Sequence, residues 1–414
     1  MKNRITENLS NPGKLEQLYR SNPAGFKQAF QEIYPQIQAD ITAQIWHERL
    51  QNTHEEITWG AAKDWAFVGI LAAIAAIFMH LPTIFSIMKD VYFARNTAFI
   101  FMMGIAAYFA RKQSLSGSQL LFPTLIVLAS LVFVNALPVN PSSDTLFLTC
   151  IHLPILTWLI VGHIFSGVQI SLTHKWIDFL RFHGDLLVMS AVIMLAGGLF
   201  SALTIGLFTL IDLQIEHLYS QYIIVSALPA IPILATLLVQ QNPTLVSKIS
   251  PVIARIFTPL VGLMLLVFLG AFIFVGKDPY NDREFLLVFN GILIGVMALL
   301  LFSVSESTKE MASKFQRISL VGLAILAIAD NGIALSAIVF RLIELGITPN
   351  RLAVLGSNVL ILLNLIWVTK QLLGLIGGQK NLSDVEASMT RFLPYYAIWA
   401  AIVSFVFPLI FSFQ

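Results

Sequence analysis

"ISLVGLAILAIADNGIALSAIVFRLIELGITPNR", residues 318–351, decides the class of fold. Its apolar run exceeds the ~20 residues that a spanning helix needs. Continuous apolar stretches of this length exclude a β-barrel, whose strands show short alternating patterns. The run then stops in a way that chemistry explains. Gly346 suits the left-handed conformation that closes a helix, Thr348 is a good N-cap, and Pro349 fits the first position of the next helix. The stretch therefore reads as one span, a tight turn and the start of a second span.

Composition places the rest of the chain in the same class. Of 414 residues, 57% are hydrophobic and only 12% are charged, against about 25% charged in soluble domains. The mean hydropathy is +0.79. Apolar runs that reach spanning length recur at roughly 65–86, 92–110, 118–137, 145–168, 185–211, 220–240, 252–276, 284–304, 318–345, 349–376 and 392–413. The expectation is an all-α polytopic membrane bundle of about eleven transmembrane helices. Residues 1–60 stand apart as a small cytoplasmic helical region, and 61–414 form the membrane domain. "PAGFKQAFQEIY" and "PQIQADITAQIWHERLQ" each predict a short amphipathic helix opened by proline, with Ile37, Ile41, Ile45 and Trp46 on one face of the second. The polar amino-terminal segment has no apolar core of a cleavable signal peptide, so the first span is expected to act as the insertion signal.

Charge in the loops gives an orientation. Lys and Arg follow the even-numbered spans: Arg111 and Lys112, Lys175 and Arg181, Lys248, Lys309 with Lys314 and Arg317, and Lys370 with Lys380. The odd loops are mostly neutral or acidic, as at Asp212 and Glu216. The positive-inside rule then puts the amino terminus in the cytoplasm and the carboxyl terminus outside. Lys89 and Arg95, and above all Arg341 and Arg351, run against this pattern.

Those exceptions define the best candidate site. At 100° per residue, Asp330, Ala334, Ala337, Arg341 and Glu344 share one stripe of the ninth span. Arg341 and Glu344 are spaced to pair, whereas Asp330 and Arg341 are about 16 Å apart along the axis. Arg351 lies in the first turn of the tenth span, where unpaired backbone N–H groups favour an anion. Arg341, Glu344, Thr348, Arg351 and Asn358 thus form a candidate site for an anionic small molecule or lipid. Asp330, Asn331 and Asn364, with His152 and His163 one above the other in the fourth span, form a candidate intramembrane polar relay. The competing reading of the hairpin is a helix-packing lock, with Arg341 paired to Glu344, Asp212 or Glu216.

The segment "RLIELGITPNR" resembles the hallmark of a bacterial multi-pass membrane family catalogued as domain of unknown function four-one-five-three. Arg341, Gly346, Thr348 and Arg351 fall on the family's two arginines, glycine and threonine. "IARIFTPLVGLMLLVFLGAF", with Arg255 and Pro259, resembles the region that precedes it. The likeness covers roughly residues 65–410 and is specific only at the hairpin. It implies a bacterial inner (cytoplasmic) membrane location and transfers no activity.

Other chemistry is sparse. The single cysteine, Cys150, rules out a disulfide within the chain. Histidine spacings do not suggest zinc, and phosphate-cradling glycine loops are missing, so no metal or cofactor is expected. A net charge of +2 gives no reason to expect nucleic acid. Gly198, Ala202 and Gly206 form a small-residue ridge expected to admit a close helix contact. Three functions remain open. The first is a secondary transporter or permease for an anionic or lipid-like substrate. The second is a scaffold or sensor subunit docking a protein partner through residues 1–60. The third is an integral-membrane enzyme acting on a lipid-linked substrate. Membrane lipids are partners in all three.

Overall fold

The computed structural model describes residues 2–21, 23–51, 61–140, 142–168, 173–209, 213–242, 250–275, 280, 283–306 and 314–413. Asp212, Lys248, Lys309 and the end of the 1–60 region lie outside these. Among the described residues there are helices and no strands. The chain divides into two units, Met1–Trp59 and Gly60–Gln414.

The first unit holds α1 (Lys2–Thr6), α2 (Pro12–Ser21), α3 (Pro23–Ile37) and α4 (Ile41–Gln51). Phe26, Phe30, Leu15, Trp46 and Leu50 form its core. Arg49 makes a two-pronged ion pair with Glu16, at 2.6 and 3.2 Å, and covers the Trp46 ring at 4.4 Å. Two expectations need correction. Pro35 opens no helix, because α3 runs through it and stops at Ile37. α4 begins instead after Asp40, whose carboxylate accepts from the Ala43 N–H at 3.1 Å. The buried face of α4 is Ala43, Trp46 and Leu50, while Ile41 and Ile45 point outward. Trp46 and the residues one turn either side of it set the seam, and Ile41 and Ile45 lie off it.

The second unit holds eleven helices long and apolar enough to cross a membrane. They are α5 (Ala62–Ile84), α6 (Lys89–Lys112), α7 (Gly117–Ala136), α8 (Asp144–Phe165), α9 (Thr173–Thr209), α10 (Glu216–Gln241), α11 (Ser250–Val275), α12 (Arg283–Glu306), α13 (Lys314–Leu345), α14 (Pro349–Ile376) and α15 (Leu382–Ile410). The protein is an integral multi-pass membrane protein, as hydropathy predicts. In lipid every backbone polar group needs an internal partner, which is why the apolar runs become helices. Two boundaries move. α9 starts at Thr173, so Lys175 and Arg181 belong to a helix and not to a loop. α15 has a lead-in helix, Leu382–Thr390, before the chain bends at Arg391.

One apolar core gathers residues of α5, α6, α8, α9 and α10, with Phe109, Phe179, Ile233 and Leu237 at its centre. A second gathers α11 to α15 around Leu300, Leu320, Leu365 and Val368. α8 connects the halves, since Leu148 packs with Ala353 of α14 and with Val403 and Phe407 of α15. The membrane half of α9 is different. Leu195, Leu199 and Leu203 are exposed, and a Cβ on Gly198 would meet open space. Among the described residues, none makes the expected close contact at Gly198. The tight approaches occur elsewhere, at Gly162 beneath Trp176 and Phe179, and at Gly356 beneath Trp399.

Helix ends leave their last carbonyls without intrahelical donors. Cationic and amide side chains supply them. Arg95 of α6, only 5% exposed, donates to the carbonyls of Asn135, Leu137 and Pro138 at 3.1, 2.9 and 3.1 Å, closing the end of α7. Beside it, Asn96 and Asn135 exchange amide hydrogen bonds of 3.0 and 2.9 Å. Arg181 donates twice to Ser305 O at the end of α12, at 3.1 and 2.8 Å. Lys175 reaches Ser166 O, and Gln113 reaches Phe165 O, both at the end of α8. Arg95→Ala leaves three carbonyls short of donors, each worth roughly 1 kcal/mol or more when buried. Unfolding in detergent, followed by tryptophan fluorescence, should show a loss of about 3 kcal/mol. Arg95→Lys should recover only part, because an ammonium cannot span the same fork. A wild-type stability in Arg95→Ala would show that water meets these carbonyls instead.

Candidate functional site

α13 and α14 are antiparallel neighbours joined by the short turn the sequence predicts. Gly346 has a φ of +79°, the left-handed closure that favours glycine. Thr348 is extended, and its hydroxyl accepts from the Arg351 N–H at 3.4 Å. Pro349 then occupies the first turn of α14. Arg351 folds back over the turn, and its Nη1 donates to Leu345 O at 2.8 Å and to Gly346 O at 2.7 Å. These are end carbonyls of α13, so Arg351 closes the hairpin as Arg95 closes the end of α7.

Arg341 is half-buried and Glu344 is exposed. The ion pairs found among the described residues do not include them, although their spacing permits one. The guanidinium of Arg341 has no hydrogen bond to another described residue, so its charge is available at the hairpin end. The predicted stripe changes character along its length: Asp330, Ala334 and Ala337 are buried, then Arg341 emerges. Asn358, 2% exposed, donates from Nδ2 to Asn290 Oδ1 of α12 at 2.7 Å. It serves the α12–α14 contact below the hairpin.

Deeper in the seam lies a second polar level. Asp330 is 1% exposed, and Asn331 and Asn364 are 0% exposed. Each lies about 22 Å along its own helix from the turn, at 1.5 Å per residue. Because α13 and α14 run antiparallel from one tight turn, the three side chains share one depth. Apolar packing brackets them: Ala327 on α13 and Ile361, Leu365 and Val368 on α14 belong to one core cluster. On the other flank Ala334 packs with Phe289 and Leu293 of α12. Asn364 Nδ2 donates to the Tyr396 hydroxyl of α15 at 3.1 Å. Buried polar atoms without a hydrogen-bond partner remain: Asp330 Oδ1, Asn331 Oδ1 and Nδ2, and Asn364 Oδ1. A carboxyl at this depth calls for a partner or for protonation. Asp330 does face the bundle interior, but its Oδ1 meets none.

The two histidines are not brought to this level by any described contact. His152, buried in α8, donates from Nδ1 to Leu148 O at 2.8 Å and behaves as an interior helix residue. His163 is half-buried near the other end of α8. His183 of α9 was not a candidate on sequence. Its ring sits among Trp158, Phe179 and Phe182, and its buried Nε2 has no partner. Asn290 and Tyr396 were also missed, although "VFNGIL" and "PYYAIW" carry them as polar interruptions of apolar runs. Among the described residues no three His, Cys, Asp or Glu side chains gather as a metal-holding group.

Comparison with known proteins yields no family model, curated protein or solved structure that matches this chain.

The two ends of the hairpin separate by mutation. Thr348→Ala should cost about 1 kcal/mol through loss of the cap. Arg351→Ala should cost a similar amount by freeing two carbonyls. Arg341→Ala should leave the unfolding midpoint within roughly 0.5 kcal/mol of wild type, because no group among the described residues depends on it. A large stability loss in Arg341→Ala would make it a structural residue after all.

Proposed function

We propose that the chain is a secondary transporter or permease of a bacterial inner membrane, handling an anionic or lipid-like substrate. The observation that carries this reading is the polar level of Asp330, Asn331 and Asn364. Orphaned polar atoms in a packed seam cost roughly 1–3 kcal/mol each. They do nothing for the packing of α13 on α14, which the alanines and leucines around them accomplish. An intramembrane carboxyl with no structural partner is the mark of a working group. Arg341, with its uncommitted guanidinium near the start of α14, supplies the attraction for an anion. Arg351, Thr348 and Asn358 hold the hairpin that presents it, and Glu344 stands exposed one turn further along. Loop charge supports a cytoplasmic amino terminus, which puts the hairpin outside. The bacterial inner membrane rests on the hairpin's resemblance to the family of unknown function four-one-five-three and on nothing further.

A second reading has its own observation. The Met1–Trp59 unit has a core of its own and exposes Ile41 and Ile45 on one side of α4. That favours a membrane-held scaffold or sensor whose partner covers this face.

Four measurements test the reading. Purified protein in liposomes should take up labelled organic phosphates or carboxylates under an imposed ion gradient. Arg341→Ala should lower that uptake about tenfold, equivalent to ~1.4 kcal/mol. Asp330→Leu should abolish uptake while leaving stability equal or higher, because it removes an orphaned polar group from an apolar seam. A destabilised Asp330→Leu with normal uptake would make Asp330 a structural residue, and a wild type that takes up none of these substrates would sink the permease reading. For orientation, Ile347→Cys in a Cys150→Ser background should react with a membrane-impermeant thiol reagent added to intact cells. Reaction only after permeabilisation would invert the topology.

A further inference from the structure

We propose that Asp330, Asn331 and Asn364 form an intramembrane site for one monovalent metal cation, of which sodium is the test case. The proposal rests on the permease reading and supplies its coupling ion, yet it is measured without any flux. Three side-chain oxygens without partners share one depth: Asp330 Oδ1, Asn331 Oδ1 and Asn364 Oδ1. Their residues are at most 1% exposed, so bulk water does not solvate them. Hard cations take oxygen ligands of this kind, from carboxylates and amide carbonyls together.

Charge decides the valence. One carboxylate lies at this level, and no other Asp or Glu is placed beside it by any described contact. A single positive charge neutralises it, whereas a divalent ion would leave a net charge in an apolar seam, where unpaired charge is costly. A proton on Asp330 supplies a single O–H donor, which meets at most one amide carbonyl and leaves the other without a partner. A metal ion answers all three at once. Asn364 is held in place for the task, because its Nδ2 is fixed on the Tyr396 hydroxyl of α15 at 3.1 Å. Its Oδ1 is left without a partner, and ion binding there would tie α15 to the α13–α14 pair.

The full-length protein in lipid nanodiscs is unfolded by heat and followed by the fluorescence of its 7 tryptophans. Sodium chloride is compared with choline chloride at equal ionic strength. Saturable stabilisation by sodium is expected, and at ten times the dissociation constant the folded-to-unfolded ratio should rise roughly elevenfold. Asp330→Asn and Asn364→Leu should both fold and lose this response. Ser130→Ala, which alters a buried hydroxyl of α7, should keep it. Equilibrium dialysis with radioactive sodium on wild type gives a second readout that no variant's folding affects, and one ion per chain is expected. Identical unfolding of wild type in sodium and choline, together with no bound sodium, overturns the proposal. So does a midpoint that moves with pH alone, which would make Asp330 a proton carrier and leave the permease reading intact. Sodium bound at this level in a protein that moves no substrate would do the reverse: the site would stand and the permease reading would fall.

Discussion

Backbone carbonyls at helix ends govern the architecture of the membrane unit. A bilayer offers no water to satisfy them at depth, and the loops here are short. The chain meets the need with side chains borrowed from neighbouring helices. Arg95 closes α7, Arg181 closes α12, Lys175 closes α8, and Arg351 turns back to close α13. Each contact places a cation against the negative end of a helix dipole, and each ties one helix to another. The same contacts fix the heights of the helices relative to one another. Without them the apolar faces alone would permit sliding, because leucine meets lipid as readily as it meets leucine.

This arrangement also accounts for positive charge where the loop pattern forbids it. Arg95 and Arg351 are exceptions to the positive-inside pattern, and both are spent on carbonyl groups. An arginine so engaged adds structure locally and says little about the compartment it faces. Arg341 differs, because no carbonyl or carboxylate among the described residues takes its charge. The hairpin therefore contains two arginines of unlike kind, one structural and one available. Sequence alone treats them as a pair.

The eleven spans, the Gly346 turn and the Thr348 cap were legible because each rests on local chemistry: length, a left-handed glycine, a hydroxyl before a proline. The polar level was half legible. Asp330, Asn331 and Asn364 stand out as interruptions of apolar runs, but that they share one depth follows only when the turn is known to be tight. Partners from distant helices were not legible. Asn290 and Tyr396 sit in spans that periodicity places on no particular neighbour, and Arg95 needs the end of α7 beside it to make sense. The amino-terminal unit misled for a local reason. Pro35 looks like a helix opener, yet a proline in the last turn of α3 is tolerated, and Asp40 is the better cap.

The length of α9 carries a consequence for the membrane itself. Thr173–Thr209 spans 37 residues, about 55 Å, against a hydrocarbon core of about 30 Å. Its first turns are gripped by protein, with Ile177, Phe179, Leu180 and Phe182 buried, while in the later turns Leu195, Leu199 and Leu203 are exposed and Ser201 meets the Tyr219 hydroxyl of α10 at 3.3 Å. Such a helix is held firmly at one end and more lightly at the other, where its leucines meet lipid. Bilayer thickness then acts on a lever: a thinner membrane tilts the lightly held end, and a thicker one draws it upright. The clamp sits where Arg181 holds the end of α12, so lipid composition has a mechanical route from α9 into the half of the bundle that contains the polar seam.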